Sequence, residues 1–149
     1  MIKEYEYLHG VVFSRLCSIS EVELFIKPFK NEGYSSYVFN NKAGLYIKYS
    51  GRRLTPWQFT ITKSQQNEIL EMYTRFGEVF IALVCYLDGV VLLNFKELRL
   101  ILDDIHDDSE WISVSRRRNQ MYSVSASDGK LGFKISKSSC PDKIIEFFK

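Results

Sequence analysis

The strongest constraint on the fold is a helix with signals at both ends, followed by a strand that is apolar at almost every position. Thr62 and Gln65 form a capping box, in which each side chain can bond a free backbone N–H, and Gly77 is the left-handed residue that commonly ends a helix. Residues 79–86 alternate too little for a half-exposed strand, which predicts burial on both faces. Asp88-Gly89 then predicts a tight hairpin into residues 90–95.

Further helices and strands are predicted on both sides of this unit. Residues 5–17 have helical spacing of apolar side chains, although their β-prone VVF leaves a strand as the alternative. A second helix begins at the Asn94 and Glu97 pair, with Ile105 among its apolar positions. The other predicted elements are an edge strand at 22–29, a hairpin of 34–39 and 45–49 with a loop of about five residues, strands at 59–61, 111–115, 121–125 and 132–135, and a last helix opened by Pro141.

The order of these elements, α-β-β-β-β-α-β-β-α-β-β-β-α, predicts a mixed α/β fold with a central mixed β-sheet flanked by helices. No repeat or linker divides the chain, so residues 1–149 are interpreted as a single domain. A hydrophobic share of 46% and an aromatic share of 15% favour a substantial core over disorder.

The cysteines and the apolar runs predict a soluble, cytoplasmic protein. Cys17, Cys85 and Cys140 are far apart, with no CxxC pair, so neither a disulfide framework nor a zinc site is indicated. Cys85 is expected to be a buried thiol. The longest apolar run is about half of what crosses a bilayer, and no signal peptide is visible at the N-terminus. We therefore expect no membrane association.

The order of elements across residues 34–85 resembles the core of the PD-(D/E)XK nuclease superfamily, and within it Holliday-junction resolvases. The likeness lies in a hairpin, a basic loop, a short strand with aromatic residues and a helix that opens with glutamine, and it involves residues 45–50, 56–59 and 64–68. The resemblance implies a restriction-endonuclease-like fold.

The resemblance also implies an Asp and a Glu-x-Lys that hold Mg²⁺ and support the attacking water. Lys48 falls at the lysine position, as the candidate catalytic residue, although an ordinary surface lysine at a strand end is the alternative. Tyr46 falls at the Glu position, and Asn40 or Asn41 falls near the Asp position. An amide and a phenol cannot replace two carboxylates around a hard dication, so no metal site is predicted. Mg²⁺ would be a cofactor only if carboxylates came from elsewhere, such as Glu4, Glu6 or Glu32.

Two groups of basic residues are candidates for binding DNA or RNA. The first surrounds one turn and the following helix start and consists of Lys48, Arg52, Arg53 and Lys63, with Tyr49 and Trp57 as aromatics that could stack on bases. The second consists of Arg116, Arg117 and Arg118, with Lys130, Lys134 and Lys137 beyond. A net charge of +2 is too small to indicate a polyanion partner by itself, so the prediction requires both groups to share a face. The alternative is solvated turn residues.

An acidic run carries a third candidate site. It consists of Asp103, Asp104, Asp107, Asp108 and Glu110, with His106 inside it. These side chains could bind a divalent ion, but the spacing matches no EF-hand loop, and a solvated loop after a helix is the expected interpretation. Such a loop could also contact the basic groups of a second copy and favour a homodimer.

Three functional hypotheses follow. The first is a nucleic-acid-binding protein with a nuclease-like fold and without a complete metal-dependent catalytic site. The second is an active nuclease with relocated carboxylates. The third is a protein-interaction or inhibitor module of a bacterial or phage accessory system, because nine Tyr, eleven Phe and two Trp leave aromatics for an interface.

Overall fold

The computed structural model describes residues 1–30, 35–106 and 108–149. It contains four helices: α1 (Glu4–Cys17), α2 (Lys63–Phe76), α3 (Phe95–Ile101) and α4 (Ser139–Phe148). The strands are β1 (Ile26–Pro28), β2 (Ser36–Phe39), β3 (Ala43–Ser50), β4 (Trp57–Thr62), β5 (Val79–Cys85), β6 (Gly89–Asn94), β7 (Ser109–Ser115), β8 (Ser123–Ala126) and β9 (Gly129–Lys130). The predicted mixed α/β class is confirmed, and the order of elements agrees with the prediction except that the last strand, β9, lies at 129–130 instead of at 132–135.

The strands form two sheets instead of the one central sheet that we expected. The first sheet has the order β1-β2-β3-β5-β6 and is mixed, because β3 and β5 are parallel and the other neighbours are antiparallel. The second sheet has the order β4-β7-β8-β9 and is antiparallel throughout. The chain therefore leaves the first sheet after β3, adds β4 to the second sheet, and returns through α2 to β5.

Two apolar layers cover the first sheet, which explains why β5 is buried at all seven positions. On one face, Leu45, Ile47 and Val84 pack with residues of α1 and α4. On the other face, Ile81 and Leu83 pack with α2, α3 and the apolar face of the second sheet. The core thus lies between three layers, with the second sheet facing solvent on its outer side.

Local chemistry explains the boundaries of the central elements. The Thr62 side chain accepts from the Gln65 N–H at 3.2 Å, and the Gln65 side chain accepts from the Thr62 N–H at 3.0 Å. Gly77 has φ 86° at the end of α2, where a side chain would be strained. Asn94 and Glu97 form a second capping box at the start of α3. These three predictions are confirmed.

Several boundaries differ from the expectations. Residues 5–17 are helical, so the strand alternative is wrong. The β2–β3 loop is three residues long, Asn40, Asn41 and Lys42, since the positive φ of both asparagines makes a tighter turn than expected. The expected strand at 132–135 is reduced to a bridge between Tyr122 and Ile135. Helix α3 ends at Ile101, so Ile105 lies outside it and is exposed. The predicted start of the first hairpin at residue 34 lies outside the described residues.

Candidate functional site

The two arginine segments meet at one end of the second sheet. In the β4–β7 pair, Trp57 lies opposite Val114, so residues 51–56 lead into β4 at the same end where β7 leads out. The Arg116 backbone N–H donates to the Thr55 hydroxyl at 3.2 Å, which joins the two segments directly. The arrangement brings together Arg53, in the first group, and Arg116 and Arg117, in the second.

A cleft of about 430 Å³ opens at this junction, and we call it the basic cleft. Its described lining contains four cationic side chains and no carboxylate; the lining residues are Thr55, Ser115, Arg116, Arg117, Gln120, Met121, Ser123, Lys130 and Lys134. Within the described part of the chain, Arg117, Lys130 and Lys134 form no ion pair. Lys134 Nζ donates to Gln120 Oε1 at 2.8 Å, which holds one ammonium group at the wall. Unpaired cations around a concavity attract an anion.

The fourth cation of the basic cleft, Arg116, is fixed by Asp88. Its Nε and Nη2 donate to the two carboxylate oxygens at 3.0 and 2.7 Å. The Tyr122 hydroxyl donates to the same carboxylate at 2.6 Å, and Gly89 permits this approach because the hydroxyl fills the place that a Cβ would take. The hydrogen bond from Arg116 holds the pKa of the Asp88 carboxyl below its ordinary value. Burial, together with the bond to Asp88, raises the pKa of Tyr122.

A second concavity adjoins the basic cleft, and we call it the side groove. It has a volume of about 580 Å³ and is lined by Arg53, Tyr86, Leu87 and Asp88. Since Asp88 lines the side groove and bonds Arg116 of the basic cleft, this ion pair forms the wall between the two concavities.

Trp57 does not present a stacking face to a ligand, which corrects our expectation. The side chain is 3% exposed and lies edge-to-face with Tyr122 at a centroid distance of 6.2 Å. Its indole N–H donates to the Arg52 carbonyl at 2.9 Å. Trp57 thus anchors the basic loop from inside the core, and the exposed Arg52 belongs to neither concavity's lining.

Lys48 and Lys63 lie away from the basic cleft, near the start of α2. Lys63 is the first residue of α2, and β4 separates it from the arginine loop by about 17 Å at the usual rise of a strand. Lys48 Nζ donates to Gln65 Oε1 at 3.1 Å, and burial lowers the pKa of this lysine. The first basic group is therefore divided between two places. Arg118 is exposed and does not line the basic cleft.

The position expected for catalytic carboxylates is occupied by a buried phenol. Tyr46 is 3% exposed, and burial raises its pKa to about 12. Glu68 of α2 accepts a hydrogen bond from Ser36, which lies directly opposite Tyr46 in the β2–β3 pair. Among the described residues, Glu68 is the carboxylate that this hydrogen bond and strand pairing place near Tyr46. Asn40 lies at the turn, where its amide accepts from the Phe25 N–H at 2.6 Å.

Of the proposed relocated carboxylates, the two that the structure describes, Glu4 and Glu6, form no ion pair with Lys48. The Glu4 carboxylate lies beside Gly51, at the end of β3. Glu6 is exposed on α1, and Glu32 lies outside the described residues.

Two residues of the acidic run, Asp103 and Glu110, come together with Asp128, which lies outside the run. Carboxylate oxygens of Asp103, Glu110 and Asp128 lie within 4.8 Å of one another, a spacing that could hold a metal ion. Glu110 is buried and accepts from Gln66 Nε2 at 3.0 Å. The Asp128 carboxylate accepts a hydrogen bond from the Asp103 N–H at 3.1 Å. This bond joins the segment after α3 to the turn between β8 and β9. Asp107 lies outside the described residues. The strand β7 separates Glu110 from the basic cleft by about 20 Å.

The comparisons with known proteins give no further identification: no protein-family model, curated protein or solved structure matches the chain. None of the described helices is long and apolar enough to cross a membrane.

Sequence reasoning missed Tyr86 and the role of Asp88, which we interpreted only as a turn residue. An available signal was the apolar Leu87 inside that turn, where polar residues are usual.

Proposed function

We propose that this protein binds nucleic acid through the basic cleft and has a nuclease-like fold without a complete metal-dependent catalytic site. The observation that carries the proposal is the basic cleft itself, with four cationic side chains in its lining and no carboxylate among its described residues. Arginine and lysine at such a surface bind phosphates, and the clustering makes a polyanion surface compatible with a net charge of +2.

Two further observations support the proposal. The β2–β3 hairpin followed by α2 and the parallel strand β5 is consistent with the element order that suggested the nuclease resemblance. If the resemblance holds, Tyr46 and the Lys48–Gln65 bond stand at the position of that family's acidic metal site. A buried phenol with a raised pKa is neutral at physiological pH and is a poor ligand for Mg²⁺.

The salt dependence of binding tests the main claim. Arg117, Lys130 and Lys134 form no ion pair within the described residues, so three phosphate contacts are expected. The logarithm of the affinity falls with the logarithm of the salt concentration, with a slope of about −0.7 to −0.9 per phosphate contact. Three contacts therefore predict that affinity falls about twenty- to fortyfold between 50 and 200 mM salt. Fluorescence anisotropy with labelled single-stranded and duplex DNA measures this slope.

Substitutions locate the contact. The double substitution Arg117→Ala and Lys130→Ala should weaken binding to every sequence. It should also reduce the salt dependence of the affinity by the amount expected for about two phosphate contacts. Lys42→Ala is the matched control, because Lys42 is exposed at the opposite end of β3. If the wild-type protein binds no oligonucleotide at low salt, the proposal is wrong, and a protein-interaction module, with a protein partner or a homodimer, becomes the better hypothesis.

Catalysis is tested separately. We expect no cleavage of DNA or RNA when Mg²⁺ or Mn²⁺ is added, since Glu68 is the carboxylate that the contacts bring near Tyr46. Metal-dependent cleavage that disappears in Glu68→Gln would instead support an active nuclease with relocated carboxylates.

A further inference from the structure

The side groove has a composition that the basic cleft lacks. Besides Asp88, whose carboxylate is paired with Arg116, its lining joins an arginine to an aromatic and an aliphatic side chain, Arg53, Tyr86 and Leu87. A volume of about 580 Å³ lies within the usual range for sites that hold a small organic group. Phosphates need cations, whereas nucleobases need flat or apolar surfaces, so the two concavities suit different parts of one ligand.

Apolar side chains are exposed at this end of the molecule without a local structural reason. Leu87 lies at the tip of the β5–β6 hairpin and is 73% exposed. Leu54, next to Arg53 in the basic loop, is 72% exposed. Turn tips normally carry polar residues or glycine. Two exposed leucines beside cationic side chains therefore mark a surface for a ligand that is both anionic and apolar.

Tyr86 is held in a backbone conformation that its residue type disfavours. Its φ is 46°, in the left-handed region where Asn or Gly is preferred over a bulky side chain. Such residues are concentrated at functional sites, where the side chain is needed at that position. Tyr86 packs partly buried against the core of the first sheet and also lines the side groove, so core packing supports the side chain at this site.

The two concavities are close enough to hold one ligand. Asp88, in the side groove, and Arg116, in the basic cleft, are 2.7 Å apart. We propose that Tyr86 and Leu87 bind an unpaired nucleobase while the cations of the basic cleft bind the adjoining phosphates. This inference rests on the proposed function and adds the ligand class: single-stranded nucleic acid, because the base faces of a duplex are hidden by stacking.

Three ligands of equal length separate the base contact from the phosphate contact. They are an oligothymidylate of about 15 nucleotides, an abasic oligonucleotide and a duplex. We expect the wild-type protein to bind oligothymidylate about tenfold tighter than either of the others. Tyr86→Ala should remove this preference and leave affinity for the abasic strand and the duplex unchanged. Tyr86→Phe should retain the preference, because the ring is kept.

Two further variants keep the test independent of folding. Leu87→Ser changes an exposed side chain and should reduce the preference about threefold without changing the melting temperature. Trp111→Ala is the control, since Trp111 is an exposed aromatic that lines neither concavity. Melting curves exclude any variant that does not fold.

The outcomes distinguish the two proposals. Equal, salt-sensitive affinity for all three ligands, unaffected by Tyr86→Ala and Leu87→Ser, would overturn the base-binding inference and leave nucleic-acid binding intact. Absence of binding to all three ligands would overturn both, and co-sedimentation with phosphatidylserine vesicles would then assign this surface to an anionic membrane.

Discussion

Asp88→Asn should change stability and ligand affinity in opposite directions. The carboxylate accepts two hydrogen bonds from Arg116 and one from Tyr122, and Asn keeps the shape but loses the charge. The side chains of the ion pair are 18% and 22% exposed, so the pair contributes about 1 kcal/mol. Weakening the bond from the buried Tyr122 hydroxyl adds about 1 kcal/mol.

The expected loss of about 2 kcal/mol corresponds to a fall in melting temperature of about 6 °C for a chain of this size. Binding should change the other way, because the substitution removes a negative charge from the cleft wall and frees Arg116. One additional phosphate contact raises affinity for oligothymidylate about fivefold at ~0.1 M salt. Differential scanning calorimetry and fluorescence anisotropy measure the two effects on the same preparation.

The pH dependence gives a second readout of the same pair. Because the folded-state pKa of Asp88 is lowered, its stabilising contribution is present above the ordinary value of 3.8 and disappears as pH falls through the folded-state pKa. Urea unfolding measures the free energy of unfolding of the wild type and of Asp88→Asn. The difference between the two should therefore be largest at neutral pH and shrink in strong acid.

Asp104→Asn is the control for net charge, since it removes one carboxylate at an exposed position outside both concavities. An unchanged melting temperature in Asp88→Asn would refute the stabilising role of the pair. A lower affinity would show that Asp88 orients Arg116 for the ligand, contrary to our reasoning.

Two other predictions test the fold and not ligand binding. Thr62→Ala removes the side-chain acceptor at the start of α2 and should cost about 1 kcal/mol in urea unfolding, whereas Thr74→Ala, at an exposed position later in the helix, should have little effect. Thiol labelling at a pH of about 8 should modify the exposed Cys17 in the folded protein and leave Cys85 and Cys140 unmodified, because both are buried and burial raises the pKa of each thiol. Rapid labelling of Cys85 before unfolding would contradict the described core.

Local signals in the sequence were sufficient for the order of elements. The capping residue Thr62 and the left-handed Gly77 act through contacts within a few residues, so each can be identified without the rest of the chain. The hairpin after β5 was also predicted, but its turn was placed wrongly: the loop is residues 86–88, and Gly89 is the first residue of β6. The unbroken apolar run of β5 likewise predicted burial on both faces, as observed.

Long-range pairing was not predictable in the same way. The partner of β4 is β7, about fifty residues later, and nothing in either strand specifies the other. The burial of Trp57 had a signal that we did not use: residues 57, 59 and 61 are apolar and alternate with polar residues, which assigns all three to one buried face. The position of Lys134 in the basic cleft depends on the long-range bridge between Tyr122 and Ile135 and had no local signal.

The Asp88–Arg116 bond crosses from the hairpin tip of one sheet to the exit of a strand in the other. Separation of the sheets would therefore part the side groove from the basic cleft, whose lining lies on the second sheet and its flanking segments. By mass action, an occupant of these concavities would strengthen the attachment between the sheets. Amide exchange should accordingly slow when the protein is saturated, including at residues 109–112 of β7, the end of that strand remote from the basic cleft.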